Sequence, residues 1–482
     1  MTATPFPNYI AGTWAVGRDA APNINPSDLG DTIGYYAQAS ANQTAEAIEC
    51  AAAAFPKWRA TSPLVRFEAL DRIGSEILAR VDELGDMLAR EEGKTLSEAK
   101  AEARRAGHLF KYFAAEAYRA TGDAYQSLRE GVSLKVVREP IGVVGVITPW
   151  NFPLAIPAWK IAPALAYGNT VVFKPAELVP GSAWMLSDII ARAGLPEGVF
   201  NLVMGKGREV GEAIVTHPKV SGVTFTGSTP VGRNMGAALF ARGAKMQLEM
   251  GGKNPLIVLD DADLDLAVHC ALQGSFFSTG QRCTASSRLI VTDGIHDAFV
   301  DRLCVAMKGL RVGDARAAET QIGPVASEAQ LAIDKRYVSQ AVDEGATLAA
   351  GGSEVGSKTP GHYFAPALFT DVSPQAAVAR DEIFGPIAAV LRVPDYDAAL
   401  ATANDCEFGL SAGIVTRDAA KIDHFSQNAE AGMIQVNLPT AGMDFHAPFT
   451  GRKGSSYGAP EKGSYCREFF TAAKVVHEGR GQ

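Results

Sequence analysis

Six cysteines in 482 residues, with no CxxC pair and no Cys/His cluster at ligand spacing, offer neither a disulfide framework nor a metal site to read. Reduced thiols in a cytoplasm are the expectation, and most of the six read as buried structural residues. No apolar stretch runs unbroken for the about 20 residues of a bilayer-spanning helix. Ile141 to Phe173, the strongest candidate, is interrupted by Pro149, Pro153, Lys160 and Pro163. The opening MTATPFPNYIAGTW has neither a basic n-region nor a continuous apolar h-region, so no signal peptide is expected. No block of like charge stands out and the net charge is -8, which argues against nucleic acid or an anionic membrane as partner and for a small molecule. Internal repeats, low-complexity tracts and the GxGxxG fingerprint are missing as well.

What is present is ordinary globular composition in a chain long enough for two or three domains, with 47% hydrophobic residues. Ser40 to Thr121 has helical periodicity, in segments such as AEAIECAAAAFPKW and EILARVDELGDMLAREEG, the second ending at a C-cap Gly93. SLREGVSLKVVREP then alternates apolar residues at Val132, Leu134 and Val136 after a turn at Gly131, as a half-exposed strand does. From Ile141 onward apolar strands (IGVVGVIT, NTVVFKP, GVFNLV, GVTFTGS) alternate with helices. That pattern predicts βαβ units in a doubly wound parallel sheet. A second alternating region follows Asn254, with strands near PLIVLD and SRLIVTD and helices near Leu264 to Phe277 and Ile295 to Lys308. Two α/β domains are expected, and EFFTAAKVVHEG near the end reads as a strand that pairs with the one near Val132.

In an open α/β sheet the ligand lies beyond the carboxyl ends of the strands, where helix N-termini offer free N–H groups to phosphate. FTGSTPVG fits that place: Phe225 and Thr226 end a strand, Gly227 lets the backbone approach a diphosphate, and Ser228 caps the next helix. It also fits a plain strand-to-helix turn. VMGKGREVG, with Gly205, Gly207 and Gly211, is a second glycine turn. Lys174 and Glu177 in FKPAE leave a strand end together, as a ribose-binding pair or as a solvated ion pair. Cys283 differs from the other thiols because STGQRCTASS surrounds it with small polar residues and Arg282, a cation that would favour thiolate. A cysteine protease would need a partner among eight histidines that spacing alone does not single out. Glu249, in QLEMGGKNP, is either a general base with a raised pKa or the cap of a turn.

In order along nearly the whole chain, TPWNFP, FKPAE, FTGS, LEMGGK, GQRC, EIFGP and PFTG resemble the aldehyde dehydrogenase superfamily. The resemblance implies an α/β fold with three parts: a dinucleotide-binding domain over 1–122 and 141–251, a catalytic domain over 252–464, and a small β oligomerisation element from 123–140 and 465–482. It implies Cys283 as nucleophile, Glu249 as the base for the deacylating water, Asn151 with the Cys283 backbone N–H as oxyanion hole, and Lys160 as an aid to proton traffic. Preorganised oxyanion donors are worth about 3 kcal/mol of barrier. Thr148, Pro149, Trp150, Lys174, Glu177, Gly207, Gly211, Phe225, Thr226, Gly227, Ser228, Val231 and Met250 match positions around the cofactor, with Glu382 and Phe384 on the nicotinamide side. Glu177 favours NAD because a carboxylate repels a 2′-phosphate, while Lys174 leaves room for NADP. No metal is implied, and a homodimer or homotetramer is.

Within the superfamily, WNFPLAIPAWKIAPALAYGN, STGQRCTASSRLIV and APFTGRKGSSYGAPEKGSYCREFF look most like the bacterial 2,5-dioxovalerate (α-ketoglutarate semialdehyde) dehydrogenases of sugar-acid catabolism. Thr450 in place of the commoner PFGG glycine, and SSYGAPEKG in place of SGxGRExG, depart from the family on the substrate side. Trp159, Phe445 and Phe449 would give the tunnel apolar walls, and Arg105 or Arg282 would meet a distal carboxylate. The alternatives are a succinate semialdehyde or broad-range aldehyde dehydrogenase and, from another class, a catalytically silent NAD-binding relative. Intact Cys283, Glu249 and Asn151 weigh against the silent relative.

Overall fold

The computed structural model describes residues 4–119 and 122–479. Residues 120–121, at the expected end of the helical region, and 480–482, at the end of the expected β element, lie outside the described residues. Two mostly parallel sheets organise the chain. The first runs, edge to edge, Thr13–Ala15, Asn8–Ile10, Phe200–Leu202, Thr170–Lys174, Val143–Ile147, Val220–Thr226, Lys245–Glu249 and Ser456–Tyr457. The second runs Thr347–Ala350, Ala367–Thr370, Ile387–Val393, Ser286–Thr292, Asn254–Val258, Ser411–Val415 and Met433–Val436. Their central strands are buried along their whole length, which is why they read as unbroken apolar runs rather than alternating ones.

Strand order reverses in the first sheet around Val143–Ile147, which lies between Thr170–Lys174 and Val220–Thr226 in parallel register. Such a switch point opens a crevice at the strands' carboxyl ends. The residues that leave those ends are Thr148, Pro175 and Gly227, so the sequence's glycine and proline turns fall where the crevice needs them.

The helical region divides into Ala41–Arg59, Pro63–Ala79, Val81–Glu92 and Leu96–Arg119. The segment read as one helix, EILARVDELGDMLAREEG, is two. Arg80 leaves helical geometry (φ -108°, ψ 24°), and the break lets both halves lie against the long helix Leu96–Arg119. Gly93 ends the second half in the left-handed conformation at φ 93°, which glycine adopts without Cβ strain. Val132–Pro140 pairs antiparallel with Thr471–Gly479 over its full length and with Asp123–Gln126 on its other side. This three-stranded sheet is largely exposed. Residues 456–457 come after most of the second sheet, yet they pair with Leu248 and Glu249 at the edge of the first. Among the described residues no helix is long and apolar enough to cross a membrane.

Candidate active site

The crevice at the switch point is a cleft of about 1000 Å³. All fifteen residues expected around the cofactor line it: Thr148, Pro149, Trp150, Lys174, Glu177, Gly207, Gly211, Phe225, Thr226, Gly227, Ser228, Val231, Met250, Glu382 and Phe384. Asn151 and Cys283 line it too. The sequence reading missed Gln330, Ile333, Arg336 and Tyr337, from the helix Glu328–Asp343, which close the opposite wall. Nothing in that helix's sequence separates these residues from the polar face of any surface helix.

Local geometry departs from expectation at two of these positions. Ser228 stands at the N-cap of Thr229–Ala241 with extended backbone, but its hydroxyl makes no capping hydrogen bond. Lys174 and Glu177 are not a hydrogen-bonded pair. Lys174 Nζ donates to the Pro175 carbonyl at 2.8 Å, and a Glu177 carboxylate oxygen accepts from the Gly207 N–H at 2.8 Å. Burial lowers the Lys174 pKa to about 8, with Glu177 pulling the other way.

A dinucleotide fits these walls on the evidence of their unused polar groups. The buried hydroxyls of Thr148 and Thr226 have no hydrogen-bond partner among the described residues, and a buried hydroxyl without one is costly. Both face the same crevice as the Gly227 turn. At the second-sheet end, Glu382 accepts from the Gly252 N–H at 2.8 Å, and burial raises its pKa to about 7. A Cβ at Gly251 would sit 2.1 Å from the Glu382 carboxylate, so the GG pair in LEMGGK is what lets this side chain in. Phe384, held at φ 63°, meets Trp150 edge-on at 5.3 Å between ring centres.

Cys283 follows a turn in which Ser278, Thr279 and Gly280 all adopt positive φ (51°, 56° and 63°). Backbone held in the left-handed region at non-glycine residues is strained and persists only where the surroundings fix it. Here Glu98 fixes it, accepting from both the Ser278 N–H and the Ser278 hydroxyl. Asn151 donates its side-chain amide to the Gln281 carbonyl at 2.9 Å, and its own carbonyl accepts from Lys94 Nζ at 2.6 Å. One N–H of the Asn151 amide is therefore tied to the nucleophile's turn and the other is left over. The Asn254 amide donates to the Cys283 carbonyl at 2.8 Å.

The electrostatics around Cys283 differ from the sequence reading. Burial, followed by the carboxylates Glu382, Glu249 and Glu461, pushes the thiol up to about 12. Arg282 gives no countervailing pull, because its guanidinium is committed to Glu98 (3.0 Å) and the Ser278 hydroxyl (2.8 Å). It buttresses the turn and is absent from the cleft's lining. Glu249 is fully buried, and desolvation, with Glu461 nearby, drives its pKa well above the ordinary carboxylate range. The Ser456 hydroxyl donates to it at 2.6 Å. Lys160, also fully buried, pairs with Glu461 and lies 2.9 Å from the Thr224 hydroxyl. Glu461 in turn accepts from the indole N–H of Trp159 at 2.6 Å.

The residues expected to wall the substrate tunnel fall in two groups. Trp159 stacks on Phe449 at 5.7 Å, Phe449 packs in one cluster with Cys283, and Phe445 stacks on His108. Arg105 is half-exposed on the long helix. Ser456, Glu461 and Lys462, from SSYGAPEKG, escaped the sequence reading. Their one signal was that this stretch departs from the common pattern.

A switch-point cleft lined by a cysteine and a tethered amide, with a buried glutamate acting on the thiol, is the arrangement of the aldehyde dehydrogenase fold. The chain belongs to the aldehyde dehydrogenase family, whose model matches residues 14–476. It is an NAD(P)-dependent aldehyde dehydrogenase that converts an aldehyde to a carboxylic acid. It is 42% identical to the alpha-ketoglutaric semialdehyde dehydrogenase of Bacillus subtilis (strain 168) over 97% of both chains. It is 39% identical to the 2,5-dioxopentanoate dehydrogenase of Saccharolobus solfataricus over 98% of both. An NAD-dependent aldehyde dehydrogenase from Sinorhizobium meliloti superposes with a TM-score of 0.97 at 33% identity, covering 99% of this chain and 95% of that one.

Proposed function

We propose that this chain oxidises α-ketoglutarate semialdehyde to 2-oxoglutarate with NAD, through a thioester on Cys283. The observation that carries the chemistry is that Cys283 and the tethered Asn151 amide line the cofactor cleft together, with the buried Glu249 near enough to act on the thiol. The substrate rests on the names borne by the two relatives above, each of which covers nearly the whole chain. Succinate semialdehyde is the nearest competitor, since it differs only in the length the tunnel accepts.

A thiol held near pKa 12 needs a base, and Glu249, whose raised pKa makes it a good proton acceptor, takes the Cys283 proton. The thiolate adds to the aldehyde carbon, and the free N–H of Asn151 with the Cys283 backbone N–H holds the resulting oxyanion. Bound NAD supplies the hydride acceptor. Glu249 first gives up the proton it took from Cys283, and the re-ionised carboxylate then accepts a proton from the water that attacks the thioester, releasing the acid and the thiolate. Lys160, paired with Glu461 next to Glu249, is placed to move that proton on. A thioester handed to a carrier thiol would not need this base, so the retained glutamate favours the acid as product.

NAD is favoured because Glu177 places a negative charge at the ribose end of the cleft, while the Lys174 ammonium already serves the Pro175 carbonyl. The exposed sheet formed by Val132–Pro140 and Thr471–Gly479, with Val475 56% exposed, supports a homodimer or homotetramer. The six unpaired cysteines suit a reducing cytoplasm. Initial rates over a panel of semialdehyde acids and neutral aldehydes, each with NAD and NADP, test the reading. A preference for neutral aldehydes, or for NADP, would refute the corresponding half.

A further inference from the structure

We infer that Lys462, together with Arg105, is the receptor for the distal carboxylate of the substrate, an inference that rests on the semialdehyde-acid reading above. Lys462 is 1% exposed, and a buried ammonium ordinarily has a carboxylate partner. This one has none. Its Nζ donates to the Asp444 backbone carbonyl at 3.2 Å and otherwise lies over two aromatic faces, 5.3 Å from the Trp159 ring centre and 5.1 Å from that of Phe449. The adjacent Glu461 does not neutralise it, because that carboxylate is taken by Lys160 and the Trp159 indole.

Arg105 has no hydrogen-bond or ion-pair partner among the described residues either. Its charge is felt at Lys462, where it is the largest influence after burial. Two cations therefore act on one another beside Trp159 and Phe449, and neither has a carboxylate in hydrogen-bond contact among the described residues. Three other cations around the nucleophile's turn each have a carboxylate in contact: Arg282 has Glu98, Lys94 has Glu102, and Lys160 has Glu461. Lys462 and Arg105 have no such contact, and a carboxylate is the group that would supply it.

Position points to the same role. Phe449, which Lys462 overlies, belongs with Leu410 and Met433 to the cluster that Cys283 packs against, and Cys283 is among the groups that act on Lys462. The ammonium and the nucleophile thus share the surroundings of Phe449, which puts the cation in the neighbourhood of a substrate bonded to the sulfur. Lys462 also keeps a left-handed backbone (φ 59°), a strained state for a lysine that persists where the surroundings impose it. Arg105, half-exposed at the tunnel's outer side, would take the second carboxylate oxygen.

The test compares kcat/KM for 2,5-dioxopentanoate with that for pentanal in the full-length enzyme and in K462M, R105M and K462R. In the wild type the ratio should strongly favour the anionic substrate. K462M and R105M should each lower that ratio at least tenfold, chiefly through KM for the anion, and K462R should restore much of it. Inhibition by 2-oxoglutarate should weaken in parallel. If K462M and R105M slow both aldehydes equally, or leave the ratio intact while the wild type prefers the anion, the inference is overturned and the substrate reading stands. A wild type that shows no preference for the anion overturns the substrate reading itself.

Discussion

Replacing Lys160 by methionine should reveal how much the fold depends on the buried pair beneath the active site. Lys160 and Glu461 are 0% and 1% exposed, and no water reaches either charge. With the ammonium gone, Glu461 keeps, among the described residues, the Trp159 indole N–H at 2.6 Å as its one close donor, because the Thr224 hydroxyl lies 3.4 Å away and donates to Gln247 at 2.8 Å. Removing one partner of such a pair costs about 3–5 kcal/mol, because the survivor is left buried and uncompensated. For a cooperative unit the size of one domain that is a fall in Tm of roughly 6–20 °C. Thermal unfolding of K160M followed by intrinsic fluorescence measures it. The double variant K160M/E461Q removes the stranded charge while keeping an acceptor for the indole, and should regain most of the lost stability without regaining activity. A K160M enzyme melting within about 2 °C of the wild type, or a double variant no more stable than the single one, would show that the pair is not the uncompensated liability its burial implies.

The remaining expectations concern chemistry. C283A should lose all aldehyde oxidation while NADH binding, read by fluorescence enhancement, persists; residual oxidation would remove Cys283 from the mechanism. E249Q should acylate and stall, giving a burst of NADH near one equivalent per site in stopped flow, and slow turnover without a burst would leave deacylation to another base. E177Q, which keeps an acceptor for the Gly207 N–H, should raise the NADP to NAD ratio of kcat/KM by removing the charge opposed to a 2′-phosphate; an unchanged ratio places Glu177 outside the ribose site. The preference for anionic over neutral aldehyde should fall as pH rises past about 8. Burial and Arg105 depress the Lys462 pKa to about 8 against the opposing influence of Glu461, Cys283 and Asp444, so the cation is present below that pH and lost above it. Thiolate formation at Cys283 affects both aldehydes alike and cancels in the ratio, which should be flat with pH if Lys462 plays no part.

What could be read from sequence was whatever depends on local pattern. The fully buried strands Val143–Ile147 and Thr170–Lys174 announce themselves as apolar runs ended by proline and glycine, and the residues just beyond them line the cleft for that reason. The break at Arg80 was not legible, because it is imposed by packing against Leu96–Arg119 and violates no propensity. Arg282 shows the limit more sharply. Adjacency in sequence placed a cation beside the thiol, but Glu98, 184 positions away, claims that guanidinium. Glu461 and Lys462 had no periodicity or motif to mark them, since their meaning comes from which buried charges lie across from them.

The crossing of residues 456–461 back to the first sheet ties reactivity to the order in which the chain is made. The nucleophile's turn, the oxyanion amide and the cofactor crevice are all encoded before residue 385, whereas Ser456 and Glu461, which hold Glu249 and Lys160, emerge last. Domains form as units during synthesis, amino-terminal parts first. A ribosome-bound chain could therefore complete its crevice and present a cysteine there while its base lacked its setting. Reactivity at Cys283 would then wait on residues 456–461, so the carboxyl-terminal part of the chain, and not the crevice alone, sets when the enzyme becomes competent.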